Sequence, residues 1–129
     1  MILGIGVDLV DLARFENHIL ENPRLGDRLF HPTEQHYEMR QLAGSFAAKE
    51  ALVKALGGPD GLSWAEIFVI RDNAGKPWLE AEGGSALRLR EAGVDKLHLS
   101  ISHDGGMLTA YVIAEALEVN GVAKGVASA

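Results

Sequence analysis

The first fourteen residues, MILGIGVDLVDLAR, alternate between two sets of side chains and carry an acid near their end. Aliphatic residues fill positions 3, 5, 7 and 9, whereas Gly4, Gly6 and Asp8 share the other set with Ile2 and Val10. A period of two predicts a β-strand. Glycine weakens a strand unless a ligand or another backbone must come close. We therefore expect a bulky phosphorylated ligand beside the Asp8 carboxylate; the alternative is an ordinary strand end with a solvated aspartate.

A second segment, SFAAKEALVKALG at residues 45–57, predicts a helix over about residues 40–56 that is apolar nearly all round and hence buried. Its charges are Lys49, Glu50 and Lys54. A buried ion is costly unless it is paired or bound to a metal. Glu50 and Lys54 have the favoured i,i+4 order, so a simple intrahelical ion pair is the structural alternative. Asp8 and Glu50 are the candidate metal ligands.

The rest of the chain mixes short strands and helices without regular βαβ alternation. The predicted elements are a helix over residues 12–21, a second helix that Pro32-Thr33-Glu34 could open, and a short helix from an N-cap at Ser85 to about Gly93. Two hairpins are also predicted, which pair residues 67–71 with 78–81 and 97–102 with 108–114. This order favours an α+β fold: a single small domain over residues 1–118, with a largely antiparallel sheet packed on the long buried helix. We expect residues 119–129 to form a flexible tail.

Composition narrows the possible functions. A chain of 129 residues with 47% hydrophobic content fits one domain with a real core. The absence of cysteine excludes disulfides and thiolate chemistry and suits the cytoplasm. The chain starts directly with a strand and has no apolar run of membrane-spanning length, so we expect no membrane association. A formal charge of −6 argues against general nucleic-acid binding.

Three segments together carry a family resemblance. GIGVDLVDLARF at residues 4–15, FAAKEALVKALG at 46–57 and LSISHD at 99–104 resemble, in this order, the small bacterial holo-acyl-carrier-protein synthases, which are 4′-phosphopantetheinyl transferases. The resemblance spans nearly the whole chain. It implies transfer of 4′-phosphopantetheine from coenzyme A to a serine of an apo acyl carrier protein or carrier domain, with release of 3′,5′-ADP.

The resemblance also implies roles for individual residues. Asp8 and Glu50 would hold Mg²⁺, which keeps vacant positions for substrate phosphates. Lys54 would contact the coenzyme pyrophosphate and stabilise charge that develops there. The proton of the attacking serine would pass to a metal-ordered water or to Glu50, two routes that the residues leave open. Lys49 would pair with an acid or help to hold the helix.

Other positions match residues that contact the coenzyme in relatives. These are Gly57, Lys76, Ser102 and His103. The alternative, from the local pattern alone, is that His103 is an ordinary histidine at the end of a hairpin strand and that Gly75-Lys76-Pro77 is simply a turn. Many relatives have arginine where this chain has Ser45, and a different loop after Gly57. These departures lie at positions where relatives contact the adenosine and the ribose phosphate of the coenzyme. They leave Asp8 and Glu50 unchanged.

Three arginines, Arg14, Arg24 and Arg28, match basic positions that dock the acidic recognition helix of the carrier protein in relatives; ordinary surface arginines are the alternative. The resemblance further implies a homotrimer with active sites between subunits. Two rival functions stay open. One is a Mg²⁺-dependent nucleotide pyrophosphohydrolase that uses the same acids, and the other is a non-catalytic module that binds a carrier protein or the coenzyme.

Overall fold

The computed structural model describes residues 1–119 and 122–123. The strands are β1 (Ile2–Asp11), β2 (Ile67–Arg71), β3 (Pro77–Ala81), β4 (Lys96–Asp104), β5 (Met107–Glu115), β6 (Glu118–Val119) and β7 (Val122–Ala123). The helices are α1 (Leu12–Glu21), α2 (Leu25–Leu29), α3 (Met39–Ala55) and α4 (Gly83–Glu91), with single 3₁₀ turns at Pro32–Glu34 and Trp64–Glu66.

All strand pairings in this part of the chain are antiparallel. The main sheet has the order β1-β5-β4, while β2 pairs with β3 and β6 with β7. Helix α3 packs across one face of the main sheet and supplies most of the core with it. The predicted α+β fold, with a largely antiparallel sheet on a long buried helix, is confirmed.

The glycines of β1 make room for this helix. A Cβ atom on Gly6 would lie 2.8 Å from the backbone nitrogen of Ala55 and would overlap the carbonyl oxygen of Ala51. A Cβ atom on Gly4 would overlap the carbonyl oxygen of Ala55. The close approach that the sequence predicted is therefore that of the α3 backbone. The expectation that a phosphorylated ligand requires these glycines is wrong.

The opposite face of the main sheet is apolar and open. Residues 3, 5, 7 and 9 of β1 point away from α3, and Leu9 is 64% exposed. The exposed apolar side chains of this outer face are Ile5, Val7, Leu9, Met107 and Tyr111. Several large apolar side chains clustered on one face are unusual for a surface that faces only water.

A buried ion pair anchors α3 to the segments around it. The ammonium of Lys49 is fully buried and donates to Oε1 of Glu34 at 2.6 Å, to the carbonyl of Leu29 at 2.7 Å and to the carbonyl of Trp64 at 3.0 Å. Glu34 is also fully buried, and its Oε2 accepts from the Val69 amide at 3.0 Å. The expectation that Lys49 pairs with an acid is confirmed.

Several boundaries differ from the prediction. Helix α2 was not predicted, and the helix expected to open at Pro32 is only a single 3₁₀ turn, Pro32–Glu34. Ser85 is not an N-cap: it is buried inside α4, which starts at Gly83, and its hydroxyl bonds Oε1 of Glu66 at 2.9 Å. The Glu66 carboxylate also accepts hydrogen bonds from the Gly84 and Ser85 amides. The N-terminus of α4 is therefore capped by Glu66, a residue of the neighbouring Trp64–Glu66 turn.

Most of the predicted tail lies outside the described residues. Of residues 119–129, the structure describes only those that pair in β6 and β7. No helix in the described part of the chain has the length and apolarity needed to cross a membrane.

Candidate active site

Asp8 lies in β1 opposite Ala110, on the face of the sheet that meets α3. Its side chain is 16% exposed, and its Oδ1 accepts from the ammonium of Lys54 at 3.0 Å. The same ammonium donates to the Val7 carbonyl at 3.0 Å. The Thr109 hydroxyl donates to the Asp8 carbonyl at 2.8 Å. These bonds fix the backbone and the carboxylate of Asp8 at the edge of the α3 interface.

Glu50 lies on α3, and its side chain lines the same cavity as Asp8. Burial raises the pKa of the Glu50 carboxyl, the negative charge of Asp8 raises it further, and the charge of Lys54 lowers it. Because Asp8 and Glu50 line one and the same cavity, the fold brings these two predicted carboxylates, 42 residues apart in sequence, to one site.

Lys54 forms its salt bridge with Asp8, so the intrahelical pair with Glu50 is not what holds this side chain, although the charge of Lys54 still lowers the pKa of the Glu50 carboxyl. Its side chain remains 55% exposed. A cation on a flexible stem at the edge of a carboxylate pair can reach an anion bound there. Lys54 thus belongs to the site by geometry.

A cavity of about 660 Å³ opens beside the two carboxylates, between β1, α3 and the α1–α2 segment. Asp8 and Glu50 line one end, and Arg14 lines the wall with the polar side of α1. The apolar floor is formed by Phe15, Leu25, Leu29 and Phe46. Asn17, His18 and Glu21 also line the cavity, and the sequence analysis missed them. With Arg14 they form an i, i+3, i+4, i+7 pattern on α1, which could have identified this face.

The other two predicted docking arginines flank the cavity region without lining it. Arg24 immediately precedes α2 and Arg28 lies within it, and both are exposed. Neither makes a salt bridge with any residue that the structure describes. Both guanidinium groups are thus accessible to a partner.

The predicted coenzyme contacts do not meet at this cavity within one chain. Gly57 follows α3 with a φ of 83°, one turn beyond Lys54. Lys76 is exposed in the β2–β3 turn. Ser102 and His103 are neighbours in β4 and so point to opposite faces of the sheet. His103 is aligned with Val10 across two strand spacings, roughly 10 Å.

Ser45, the departure from relatives, is fully buried on α3. Its hydroxyl has no hydrogen-bond partner among residues 1–119 and 122–123. A buried position of this kind offers no direct contact to a ligand in solution.

The donor set suits a hard divalent cation that keeps several positions for other ligands. Within the described ranges, no group of three or more His, Asp or Glu side chains could enclose an ion. Two carboxylates are nevertheless the usual protein share of a Mg²⁺ site whose other ligands are water and phosphate oxygens. A cation between Asp8 and Glu50 would also relieve the repulsion that raises the pKa of Glu50. The residues present therefore fit Mg²⁺.

Comparison with known proteins identifies the family to which this chain belongs. The profile of the 4′-phosphopantetheinyl transferase superfamily matches residues 4–115. The holo-[acyl-carrier-protein] synthase of Kocuria rhizophila is 51% identical over 118 residues, which is 92% of this chain and 96% of that protein. The chain belongs to the 4′-phosphopantetheinyl transferase superfamily and, within it, to the enzymes of the holo-[acyl-carrier-protein] synthase group.

Solved structures agree with this assignment. The holo-[acyl-carrier-protein] synthase of Neisseria meningitidis superposes with a TM-score of 0.82 at 32% identity, covering 89% of this chain and 99% of that one. A synthase solved as a complex with CoA, named as from Chronobacterium ammoniagenes, superposes with a TM-score of 0.74 at 32% identity, covering 86% and 95%. The resemblance stated from the sequence is confirmed.

Proposed function

We propose that the chain transfers 4′-phosphopantetheine from coenzyme A to a serine of an apo acyl carrier protein or carrier domain, in a reaction that depends on Mg²⁺. The observation that carries the proposal is that Asp8 and Glu50 line one cavity and that Lys54 forms a salt bridge with Asp8. Relatives named as holo-[acyl-carrier-protein] synthases, one of them solved with CoA, support the choice of donor and acceptor.

Asp8 and Glu50 would hold Mg²⁺ and leave its other positions to water and to the coenzyme pyrophosphate. A bound Mg²⁺ supplies charge neutralisation at phosphate oxygens. The protein's own share is to fix both carboxylates on rigid elements, β1 and α3, whose backbones are locked together at Gly6. Catalysis of phosphoryl transfer depends mainly on such positioning and on electrostatics.

The acceptor serine oxygen forms a bond to the β-phosphorus while the bond from that phosphorus to the bridging oxygen breaks. The leaving group is 3′,5′-ADP, and the serine proton passes to Glu50 or to a water. Glu50 is one candidate for this proton because its carboxylate lines the cavity beside Asp8. Lys54 would stabilise charge on the pyrophosphate oxygens, and its exposed ammonium lies at Asp8.

We further propose that the active unit is a homotrimer in which a neighbouring copy completes the coenzyme site. Within one chain, Lys76, Ser102 and His103 do not line the cavity beside Asp8 and Glu50. The outer face of the main sheet exposes a cluster of apolar side chains that an assembly would cover. Gly57, on the chain that supplies Lys54, would contact the coenzyme from the metal-binding side. A cytoplasmic location fits this activity and the lack of cysteine.

Arg14, Arg24 and Arg28 would dock the carrier protein at the mouth of the cavity. Arg14 lines the cavity, and the other two lie beside it with free guanidinium groups. Charges of this kind steer encounter and partner choice more than they add affinity. An acidic recognition surface on the carrier is the expected partner.

The test is to incubate the protein with coenzyme A, Mg²⁺ and an apo acyl carrier protein, and to measure intact carrier mass and nucleotide products together. A mass gain of one phosphopantetheine with an equal amount of 3′,5′-ADP, both lost with EDTA, is expected. Coenzyme cleavage with unmodified carrier would favour the pyrophosphohydrolase. Binding of carrier and coenzyme without any product would favour the non-catalytic module.

A further inference from the structure

Helix α2 is too short to fix its own position. It has five residues, and an isolated helix of this length is not stable in water. Its last residue, Leu29, nevertheless lines the cavity together with Glu50. The proposed docking residue Arg28 immediately precedes Leu29. A contact from outside the helix must therefore hold both the cavity wall and this guanidinium group.

Lys49 of α3 makes that contact. Its ammonium donates to the carbonyl of Leu29 at 2.7 Å and lies 5.0 Å from the centre of the Phe30 ring. The last carbonyls of a helix lack partners within the helix, and a cation at that end is favourable. Lys49 also immediately precedes Glu50 in the chain. One side chain thus joins the end of α2 to the stretch of α3 that carries a proposed metal ligand.

The Lys49 ammonium has no hydrogen left for a ligand. Besides Leu29, it donates to Oε1 of Glu34 at 2.6 Å and to the carbonyl of Trp64 at 3.0 Å. An ammonium has three hydrogens, and these three bonds use all of them. Lys49 is fully buried and does not line the cavity. It can therefore act on the reaction only through the segments that it holds.

Helix α1 is held by different contacts. It continues directly from β1, and the Asp11 carboxylate caps it by accepting from the Arg14 amide at 3.0 Å. The Phe15 ring packs against the Phe46 ring, with 5.4 Å between the ring centres. These contacts do not involve Lys49. Arg14 is therefore a control residue whose position does not depend on Lys49.

We propose that Lys49 is a positioning residue for carrier recognition: its bond to the Leu29 carbonyl fixes α2, and with it Arg28, relative to the two carboxylates of the site. A side chain on a fixed segment loses less conformational entropy when a partner binds. This inference rests on the proposed docking of an apo acyl carrier protein at the mouth of the cavity. Without the bond to Leu29, Arg28 should contribute little to docking, while the carboxylates stay in place because β1 and α3 remain packed together.

The test is a double-mutant cycle on the KM for an apo acyl carrier protein, measured as transfer at saturating coenzyme A and Mg²⁺. Arg28→Ala is expected to raise this KM about fivefold in the wild-type background and no more than about twofold in Lys49→Met, because the two residues are coupled. Arg14→Ala should raise the KM by the same factor in both backgrounds. The Mg²⁺ concentration that gives half-maximal rate should be unchanged in Lys49→Met.

A loss of stability alone would not give this pattern. It lowers the folded fraction and hence the apparent rate, but it leaves the KM of the folded protein unchanged. Adding Glu34→Gln to Lys49→Met removes the unpaired buried carboxylate and should raise the urea midpoint, without restoring the bond to Leu29. The KM for the carrier should therefore stay high in this double variant. A KM that returns to the wild-type value together with stability would overturn the role of Lys49.

Amide exchange in the wild-type protein gives a test that needs no variant. The Phe30 amide donates to the Gly26 carbonyl at 2.9 Å and reports on α2. It is expected to exchange as slowly as the amides in the middle of α3, whereas the Gly75 amide in the exposed β2–β3 turn should exchange by local opening. If Lys49→Met does not fold, this measurement decides: slow exchange at Phe30 supports a fixed α2, and rapid exchange overturns the proposal.

Two further outcomes distinguish this role from the proposed transfer. Independent effects of Lys49→Met and Arg28→Ala, in a protein that transfers phosphopantetheine, would overturn the role of Lys49 and leave the transferase intact. Absence of transfer by the wild-type protein, with its folding confirmed by circular dichroism, would overturn both.

Discussion

Replacing Gly6 by alanine tests whether the close approach of β1 to α3 sets the geometry of the site. The new Cβ would lie 2.8 Å from the Ala55 nitrogen and overlap the Ala51 carbonyl, whereas real Cβ contacts essentially never fall below 3.0 Å. The opposing atoms belong to a helix backbone and cannot rotate away. Helix α3 must therefore retreat by about 1 Å, and overpacking of this kind costs up to about 3 kcal/mol of unfolding free energy.

The same retreat should impair function. Glu50 immediately precedes Ala51 in α3, so its carboxylate moves with the helix while Asp8 stays on β1. A misplacement of about 1 Å can cost roughly a hundredfold in rate. We expect Gly6→Ala to fold and to transfer phosphopantetheine about a hundredfold more slowly, measured by intact carrier mass under single-turnover conditions.

Gly26→Ala is the matched control. No atom lies within 4 Å of its added Cβ, and Gly26 is in helix α2. It should keep full activity and gain up to about 1 kcal/mol of stability. Urea unfolding at one protein concentration measures both variants. Wild-type stability and rate in Gly6→Ala would refute the packing argument, and lost coenzyme affinity with unchanged stability would restore the ligand interpretation of the glycine.

Further predictions concern other contacts. Lys49→Met should lose about 3–5 kcal/mol of unfolding free energy, because Glu34 stays buried without its partner; adding Glu34→Gln should recover part of that loss in urea unfolding, and no recovery would contradict the ion-pair argument. The folded state lowers the pKa of Glu66 through the Ser85 hydroxyl, so stability present above its unfolded value of 4.5 should be lost as pH falls through the lower folded value. Glu66→Gln should flatten that acid limb of the melting temperature against pH, and an unchanged limb would exclude the cap. Arg28→Glu should raise the KM for apo-carrier and reduce its salt dependence, whereas Arg90→Glu on α4 should not; equal effects would argue against a docking site.

The sequence pattern predicted the helices and strands better than it predicted which of their faces are buried and what packs against them. The strict alternation of β1 identified the strand and its two faces, but alternation alone does not say which face is buried. The aliphatic face, including Val7 and Leu9, is the exposed one, and the face with Gly4 and Gly6 is the one that packs. Small residues at a helix–sheet contact allow the helix to approach more closely than large residues do. Whether a helix packs on the glycine face therefore depends on an element far away in the sequence, here α3.

The site was predicted through its charges. Glu50 and Lys49 stood out because charges inside an apolar helix need partners, but the partner of Lys49, Glu34, lies 15 residues away. The local pattern marks a helix start at Pro32 and does not show that this segment packs against α3. Helix α2 is five residues long and has too few turns to show a period. The α1 face behind Arg14 carried a helical period that a wheel through residues 14–21 would have shown.

The proposed transfer depends on a cation that Asp8 and Glu50 hold together. The decisive measurement is the rate of phosphopantetheine gain on an apo acyl carrier protein as a function of Mg²⁺ concentration, for wild type, Asp8→Asn and Glu50→Gln. Glu16→Gln, an exposed acid on α1, is the control. Loss of transfer in both site variants, with folding intact and the control at wild-type rate, is expected. Transfer by either site variant with the wild-type dependence on Mg²⁺ would contradict the account.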